Sequence, residues 1–365
     1  MPDIRTPGDL SPSHPKSSSK LLRRLGLGVS SLLLLTGIGA GSGWMWWRSA
    51  IAPVQASAHK TQIQIPNGAS AQQIGLMLQQ AGLIRSQEAW KLWTRLSMLR
   101  EPQAGFQAGT YELSPQDSLD YIATKIWSGK VLEESFTIPE GWSMKQMAQY
   151  FEAQQWFTAA EFLEAVQQVD RTRYPWLPEK VPFLEGFLYP DTYQIPLDQR
   201  TPKATVDVML KRFEQTALPL YQQQGGEKLS LLDWVTLASI VEKESVVDSE
   251  RAEISGVFWN RLRKGMTLGS DPTVEYGLGI TQTPDQPLTY AQVKQKSPYN
   301  TYINAGLPPT PIASPGIKSL KATLNPDSTA NLYFVARYDG THVFSRTLAE
   351  HERAIASIRQ QRNAQ

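Results

Sequence analysis

The string LLDWVTLASIVEKESV, from Leu231 to Val246, ends a long apolar run on two carboxylates, Glu242 and Glu244. With Ser230 in the N-cap place and Asp233 three residues on, the spacing predicts a helix. At roughly 100° per residue, Glu244 falls close to Leu237, Ile240 and Val241 on the helix surface and so extends an apolar stripe. A carboxylate drawn into such surroundings favours its protonated form, which is the condition for a general acid working near neutral pH. Glu242 meets the same test over Leu231, Val235 and Ala238. Periodicity therefore offers both glutamates, with a solvated helix end as the plain alternative for each. Lys243, between them, is placed to pair with an acid of a neighbouring segment.

Other chemistries are thinly supplied. The 365 residues include no cysteine and only four histidines, His14, His59, His342 and His351. Thiolate catalysis and cysteine zinc sites are excluded, and neither a metal centre nor a Ser-His-Asp triad is expected. No cofactor is expected either. The net charge is +2, from 36 Lys and Arg against 34 Asp and Glu, which argues against a nucleic-acid partner. Carboxylates remain as the catalytic groups.

The elements that would position them fall in order along the chain. Residues 1–20 read as a disordered cytoplasmic tail. Residues 21–48 read as a single transmembrane anchor, because no charge interrupts Leu25 to Trp47. Lys16, Lys20, Arg23 and Arg24 on its N-terminal side keep that end cytoplasmic, while Trp44, Trp46, Trp47 and Arg48 suit the far interface. The chain is thus expected in the inner (plasma) membrane, with everything beyond the linker 49–60 on the periplasmic, wall side. Gly37, Gly39, Gly41 and Gly43 give two overlapping G-x-x-x-G spacings on which a partner helix could pack.

Residues 61–135 read as a small α/β module, and 136–365 as a mixed α+β domain with a central buried helix, making the fold class α+β. A strand, a Pro/Gly turn, a serine N-cap and an amphipathic helix recur at an offset of 73, from Ile65-Pro66-Asn67-Gly68-Ala69-Ser70 to Ile138-Pro139-Glu140-Gly141-Trp142-Ser143. A looser third version begins at Tyr111. The Gly- and Pro-rich, aromatic stretch 265–315 reads as the wall of a cleft.

Longer strings carry a resemblance. Ala238-Ser239-Ile240-Val241-Glu242-Lys243-Glu244-Ser245 is followed by Val257-Phe258-Trp259-Asn260-Arg261-Leu262 and Ser270-Asp271-Pro272-Thr273-Val274-Glu275-Tyr276-Gly277. Glu185-Gly186-Phe187-Leu188-Tyr189-Pro190-Asp191-Thr192-Tyr193, Ser297-Pro298-Tyr299-Asn300-Thr301-Tyr302 and Gly306-Leu307-Pro308-Pro309 complete the set. Together they resemble the MltG (YceG-like) family of endolytic murein transglycosylases. The resemblance implies cleavage of the β-1,4 bond between N-acetylmuramic acid and N-acetylglucosamine within nascent strands. It further implies 1,6-anhydro ends, termination of strand elongation, and cell-wall synthases as neighbours. It places the catalytic acid on Glu244 rather than Glu242, and makes 61–135 similar to the family's LysM-like region. Tyr189, Tyr193, Tyr276, Tyr299 and Tyr302 suit stacking on pyranose faces or packing near the Pro-rich loops, and Asp191, Asp271 and Asn300 suit bonding sugar hydroxyls or ordering their own turns. Glu185 and Ser245 complete the candidate substrate contacts. Two departures stand out, Trp259 for a smaller apolar residue and Ser270 where Thr is common, and neither is expected to touch the acid.

Two other readings compete. A non-catalytic glycan-binding scaffold would recruit synthases through the glycine helix and the repeated modules. A true hydrolase would need a second carboxylate roughly 5–10 Å from Glu244, with Glu185, Asp191 and Asp271 as the candidates.

Overall fold

The computed structural model describes residues 37–55, 59–224, 229–283, 286–337 and 339–363. The expected tail and the first half of the apolar run Leu25–Trp47 lie outside them. The described remainder of that run is helical, at 37–50 (α1), and no helix among the described residues is long and apolar enough to cross a membrane. From there the chain forms two compact units that meet in sequence between Leu132 and Glu133.

The first unit holds β1 (Thr61–Ile65), α2 (Ala71–Gln80), α3 (Gln87–Arg100), β2 (Gly109–Leu113) and α4 (Leu119–Trp127). β1 and β2 pair antiparallel, with Ile63 opposite Tyr111. Their inner faces bury Ile63, Ile65, Tyr111 and Leu113 against Ile74 and Leu78 of α2, Trp90 of α3 and Ile122 and Ile126 of α4. Trp47 and Ile51 pack on the same core, so the chain that leaves α1 is built into this unit instead of hanging free as a linker.

The second unit begins at Glu133, three residues before the 135/136 boundary read from sequence. β3 (Glu133–Thr137) belongs to it because its partner is β4 (Thr192–Pro196), with Phe136 opposite Tyr193. Between them lie α5 (Met144–Ala153) and α6 (Ala159–Ala165). Then come α7 (Pro202–Gln224), α8 (Leu231–Glu244), α9 (Arg251–Arg263), α10 (Asp271–Leu278), α11 (Tyr290–Val293) and α12 (Ile317–Leu324). The antiparallel pair β5 (Tyr333–Ala336) and β6 (His342–Ser345) precedes α13 (Leu348–Asn363). Helices with small two-stranded sheets make the fold mixed α+β, as expected.

The repeat at offset 73 is a structural one. Ser70 and Ser143 each cap a helix through a full capping box, with Gln73 and Gln146 as the returning side chains. Gly68 and Gly141 occupy the same left-handed conformation, φ 76°, in the turns before them.

α8 is the centre of the second unit. Every residue from Trp234 to Val241 is buried. Trp234, Val235 and Ala238 join the core formed with β3, α5, α7 and α12, while Leu237, Ile240 and Val241 join a second core with Ile254, Phe258, Leu268 and Ile312. The helix is apolar nearly all round because it has an apolar neighbour nearly all round.

Gly186 marks how closely the segments pack on it. At φ 82°, a Cβ added here would run into the Pro311 ring and stand 2.9 Å from Val235 Cγ1. Gly186→Ala is therefore expected to cost about 3 kcal/mol from overpacking and a left-handed φ. Gly265→Ala, at φ 65° with open space around it, should cost about 1 kcal/mol. Thermal unfolding of the two variants beside the parent checks the difference, and equal losses would count against close packing at Gly186.

Candidate active site

The last turn of α8 separates its two glutamates. Glu242 turns toward α9 and α12. Its Oε2 accepts from the Gly316 amide at 3.0 Å and the Ser319 hydroxyl at 2.6 Å, and its Oε1 lies 3.2 Å from Arg251 Nη1. Both partners of this ion pair are over nine-tenths buried. Arg251 also bonds Ser319 and, at 3.0 Å, Asp248. Glu242 is thus a structural acid that ties α8 to two neighbouring helices, with its carboxylate fully engaged.

Glu244, two residues on, lies about 200° further round the helix. Its Oε1 accepts from Ser270 Oγ at 2.6 Å, and among the described residues Oε2 has no hydrogen-bond partner. Burial pushes this carboxyl up to about 7, against the Ser270 hydrogen bond, which lowers it. The negative field of Asp271 raises it further, Arg261 opposes, and Glu275 adds a smaller upward push. Arg261 is itself held by the carbonyls of Leu332 and Leu268.

Ser270 corrects the sequence reading, in which that position was not expected to touch the acid. It stands at the N-cap of α10 but makes no side-chain cap bond, because its hydroxyl is directed to Glu244. Its own position is fixed from behind. The Ser270 amide bonds Thr301 Oγ1 at 3.0 Å, its carbonyl accepts from Thr273 Oγ1 at 2.6 Å, and the residue is 1% exposed. A serine before Asp-Pro reads as a helix start, so the signal was present and was absorbed by the wrong role.

α10 carries the site onward. Asp271 at its start accepts from Tyr302 Oη at 2.6 Å. Its next turns, through Pro272, Glu275 and Tyr276, line a cavity of about 640 Å³ that Met144, Glu185, Lys243 and Tyr299 also line. Tyr276 and Tyr299 pack with ring centroids 4.8 Å apart. Tyr276 Oη donates to Glu185 Oε2 at 3.0 Å, and the Met144 amide at the start of α5 donates to both Glu185 oxygens, at 3.0 and 3.2 Å. Glu185 is 1% exposed, and burial pushes it up to about 8 despite these bonds. It is mostly uncharged at neutral pH.

The structure thus gathers Glu185, Glu244, Asp271, Tyr276, Tyr299 and Tyr302 around α10. The other residues suggested by sequence have different surroundings. Tyr189 and Tyr193 are core residues at β4, where the Tyr193 ring stacks on Phe136 with centroids 5.0 Å apart and its hydroxyl bonds the Tyr189 carbonyl. Asp191 is paired with Arg212 at 2.6 Å. Asn300 is buried, donates to the carbonyls of Val293 and Gln295 at 2.8 Å and accepts the Tyr302 amide, so it shapes its own loop. Ser245 is the C-cap of α8, and its buried hydroxyl has no partner among the described residues. Lys243 has no acid partner among them; its stem lies along Gly141.

Fold and site together define a mixed α+β protein with one hydroxyl-bonded glutamate at the end of a buried helix, beside a tyrosine-walled cavity. The chain belongs to the YceG-like family, whose model matches residues 63–357. It is 32% identical over 330 residues to an endolytic murein transglycosylase of Bacillus subtilis (strain 168), a match covering 86% of this chain and 89% of that one. It is 30% identical over 363 residues to an endolytic murein transglycosylase of Streptococcus pneumoniae serotype 2, covering 90% of this chain but 64% of the pneumococcal protein. Among solved structures it resembles a yceG-like protein from Listeria monocytogenes, with a TM-score of 0.56 and 32% identity over 82% of this chain and all of that one.

The two glutamates should respond oppositely to amide substitution. Glu242→Gln leaves the buried Arg251 short of a counter-charge and is expected to cost about 3 kcal/mol. For Glu244, the unfolded carboxyl titrates near 4.5 and the folded one near 7. Between these values the unfolded state gives up a proton that the folded state keeps, so stability falls as pH rises through the window. Glu244→Gln should remove that fall and stabilise the protein by about 1–3 kcal/mol at pH 8 and little at pH 4. Urea unfolding at both pH values checks this, and a loss for Glu244→Gln at pH 8 would contradict it.

Proposed function

We propose that this chain is an endolytic peptidoglycan lytic transglycosylase, cutting the β-1,4 bond between N-acetylmuramic acid and N-acetylglucosamine inside a strand, with Glu244 as its proton-transfer group. The observation that carries the residue assignment is the setting of Glu244. It is a carboxyl poised near 7 with one oxygen fixed by Ser270 and the other unengaged. At that poise both protonation states are accessible near neutral pH, which suits a group that must act first as an acid and then as a base. The names of the relatives support the reaction class.

In this mechanism Glu244 protonates the glycosidic oxygen as the C1–O bond breaks, and N-acetylglucosamine leaves as an alcohol. Positive charge develops at the muramyl C1. Glu244, now a carboxylate, takes the proton of the muramyl 6-hydroxyl while that oxygen bonds to C1. The product is a 1,6-anhydro end, water is not consumed, and the enzyme is left protonated as it began. Burial holds the Glu244 proton in place, and the field of Asp271 and Glu275, which adds to it, also favours the cationic transition state. No second nucleophilic or water-activating carboxylate is required, unlike in retaining or inverting hydrolases.

Further parts of the reading concern location. The apolar run Leu25–Trp47 with its basic flank supports a membrane anchor, cytoplasmic at the N-terminus, and the first unit is the LysM-like module on the wall side. Cell-wall synthases are the expected neighbours there.

Glu244→Gln should fold normally and lower the rate by about 1,000-fold or more, on the scale of general acid catalysis. The rate of the parent enzyme should fall as pH rises through about 7, because the acid form is lost. Mass spectrometry of products from purified strands should show anhydromuramyl ends. Reducing muramyl ends in their place would transfer the assignment to a hydrolase using Asp271, and anhydro products from Glu244→Gln would remove Glu244 from its role.

A further inference from the structure

We propose that the cavity beside Glu244 is a subsite for the peptide stem of the muramyl residue, with Lys145 and Lys243 receiving the carboxylates of that peptide. The proposal rests on the transglycosylase reading, because it is that substrate which carries a short anionic peptide on its muramyl sugar.

The position of the cavity is the first argument. Lys243 directly precedes Glu244, and α10 begins at Ser270 and Asp271 beside Glu244 before its next turns enter the cavity wall. The muramyl C1 that reacts at Glu244 and the lactyl oxygen that bears the peptide sit on the same pyranose ring. The cavity wall includes Lys243 and Pro272, the chain neighbours of Glu244 and Asp271, though not Glu244 itself, so a sugar cleaved at Glu244 has the root of its stem near that wall. The cavity, at about 640 Å³, is within the usual range of sites for small ligands.

Its lining is the second argument. Leu163, Val166 and Phe183 in the lining offer no hydrogen bonds but accept alanyl methyl groups. Lys145 and Lys243 are both exposed, and neither is paired with an acid among the described residues. Two carboxyls share the lining with the lysines and offset them only in part. Glu185 is buried and uncharged at neutral pH, and Glu275 accepts the Gln282 amide. Two unpaired ammonium groups over a lining that mixes Leu163, Val166 and Phe183 with Gln146, Gln149 and Gln167 complement a short peptide with free carboxylates.

The test compares two substrates on the full chain in detergent, namely peptide-bearing glycan strands and the same strands stripped of peptide by an amidase. For Lys145→Ala/Lys243→Ala, kcat/KM for anhydro-end formation is expected to fall about tenfold or more on peptide-bearing strands, the scale of one charge-assisted hydrogen bond. On stripped strands, which keep the lactyl carboxylate but lose those of the peptide, the fall should be several-fold smaller. Lys145→Arg/Lys243→Arg should restore most of the loss. An equal fall on both substrates, or no fall on peptide-bearing strands, overturns the stem subsite while leaving the reaction assignment standing. A parent enzyme that forms no anhydro ends from either substrate overturns the reaction assignment, and the subsite with it.

Discussion

The Glu242–Arg251 ion pair is the constraint from which the site geometry follows. Burying two charges is favourable only when their remaining hydrogen-bonding capacity is met, and here Gly316, Ser319 and Asp248 meet it. Because these partners come from α9, from α12 and from the turn leading into each, the pair sets the rotation of α8 about its own axis. Once that rotation is set, the position two residues later has no freedom to share the same surroundings. Glu244 is forced to the other side, where Ser270 and α10 are. One carboxylate is matched by an arginine, a hydroxyl and an amide, and its near neighbour is left in a place that disfavours its charge.

That contrast is the electrical basis of the site. Glu244 and Glu185 are both pushed upward by burial, to about 7 and about 8, whereas the hydrogen bonds they accept act in the opposite direction. In each case desolvation outweighs the donors, one hydroxyl for Glu244 and the Met144 and Gly186 amides with the Tyr276 phenol for Glu185. Glu242, by contrast, has a cation at 3.2 Å.

Much of this architecture can be read from spacing. The N-caps Ser70, Ser143 and Ser230, the helix Ile317–Leu324 and the central apolar helix all follow from local pattern, because capping and amphipathicity act over a few residues. Periodicity could not choose between Glu242 and Glu244, since the partners that distinguish them come from Gly316 and Ser319 on one side and Ser270 on the other. Those contacts span separations of 74, 77 and 26 residues. The same limit explains Tyr193 and Asn300. An aromatic ring or an amide near a Pro-rich loop has the same local signature whether it faces a ligand or closes its own turn, and only the register with Phe136 or the carbonyls of Val293 and Gln295 settles it.

The repeated strand–turn–helix has a meaning beyond scaffolding. Its two copies share a left-handed glycine, a serine cap and a returning glutamine, so their helix starts are built alike. In the second copy the first helical amide, that of Met144, is bound by Glu185 from outside the repeat, and the same turn forms part of a cavity wall. The second cassette thus engages a carboxylate from outside itself while keeping the same cap and turn as the first. Divergence of the two copies is legible less in their own residues than in what the rest of the chain has brought up against them.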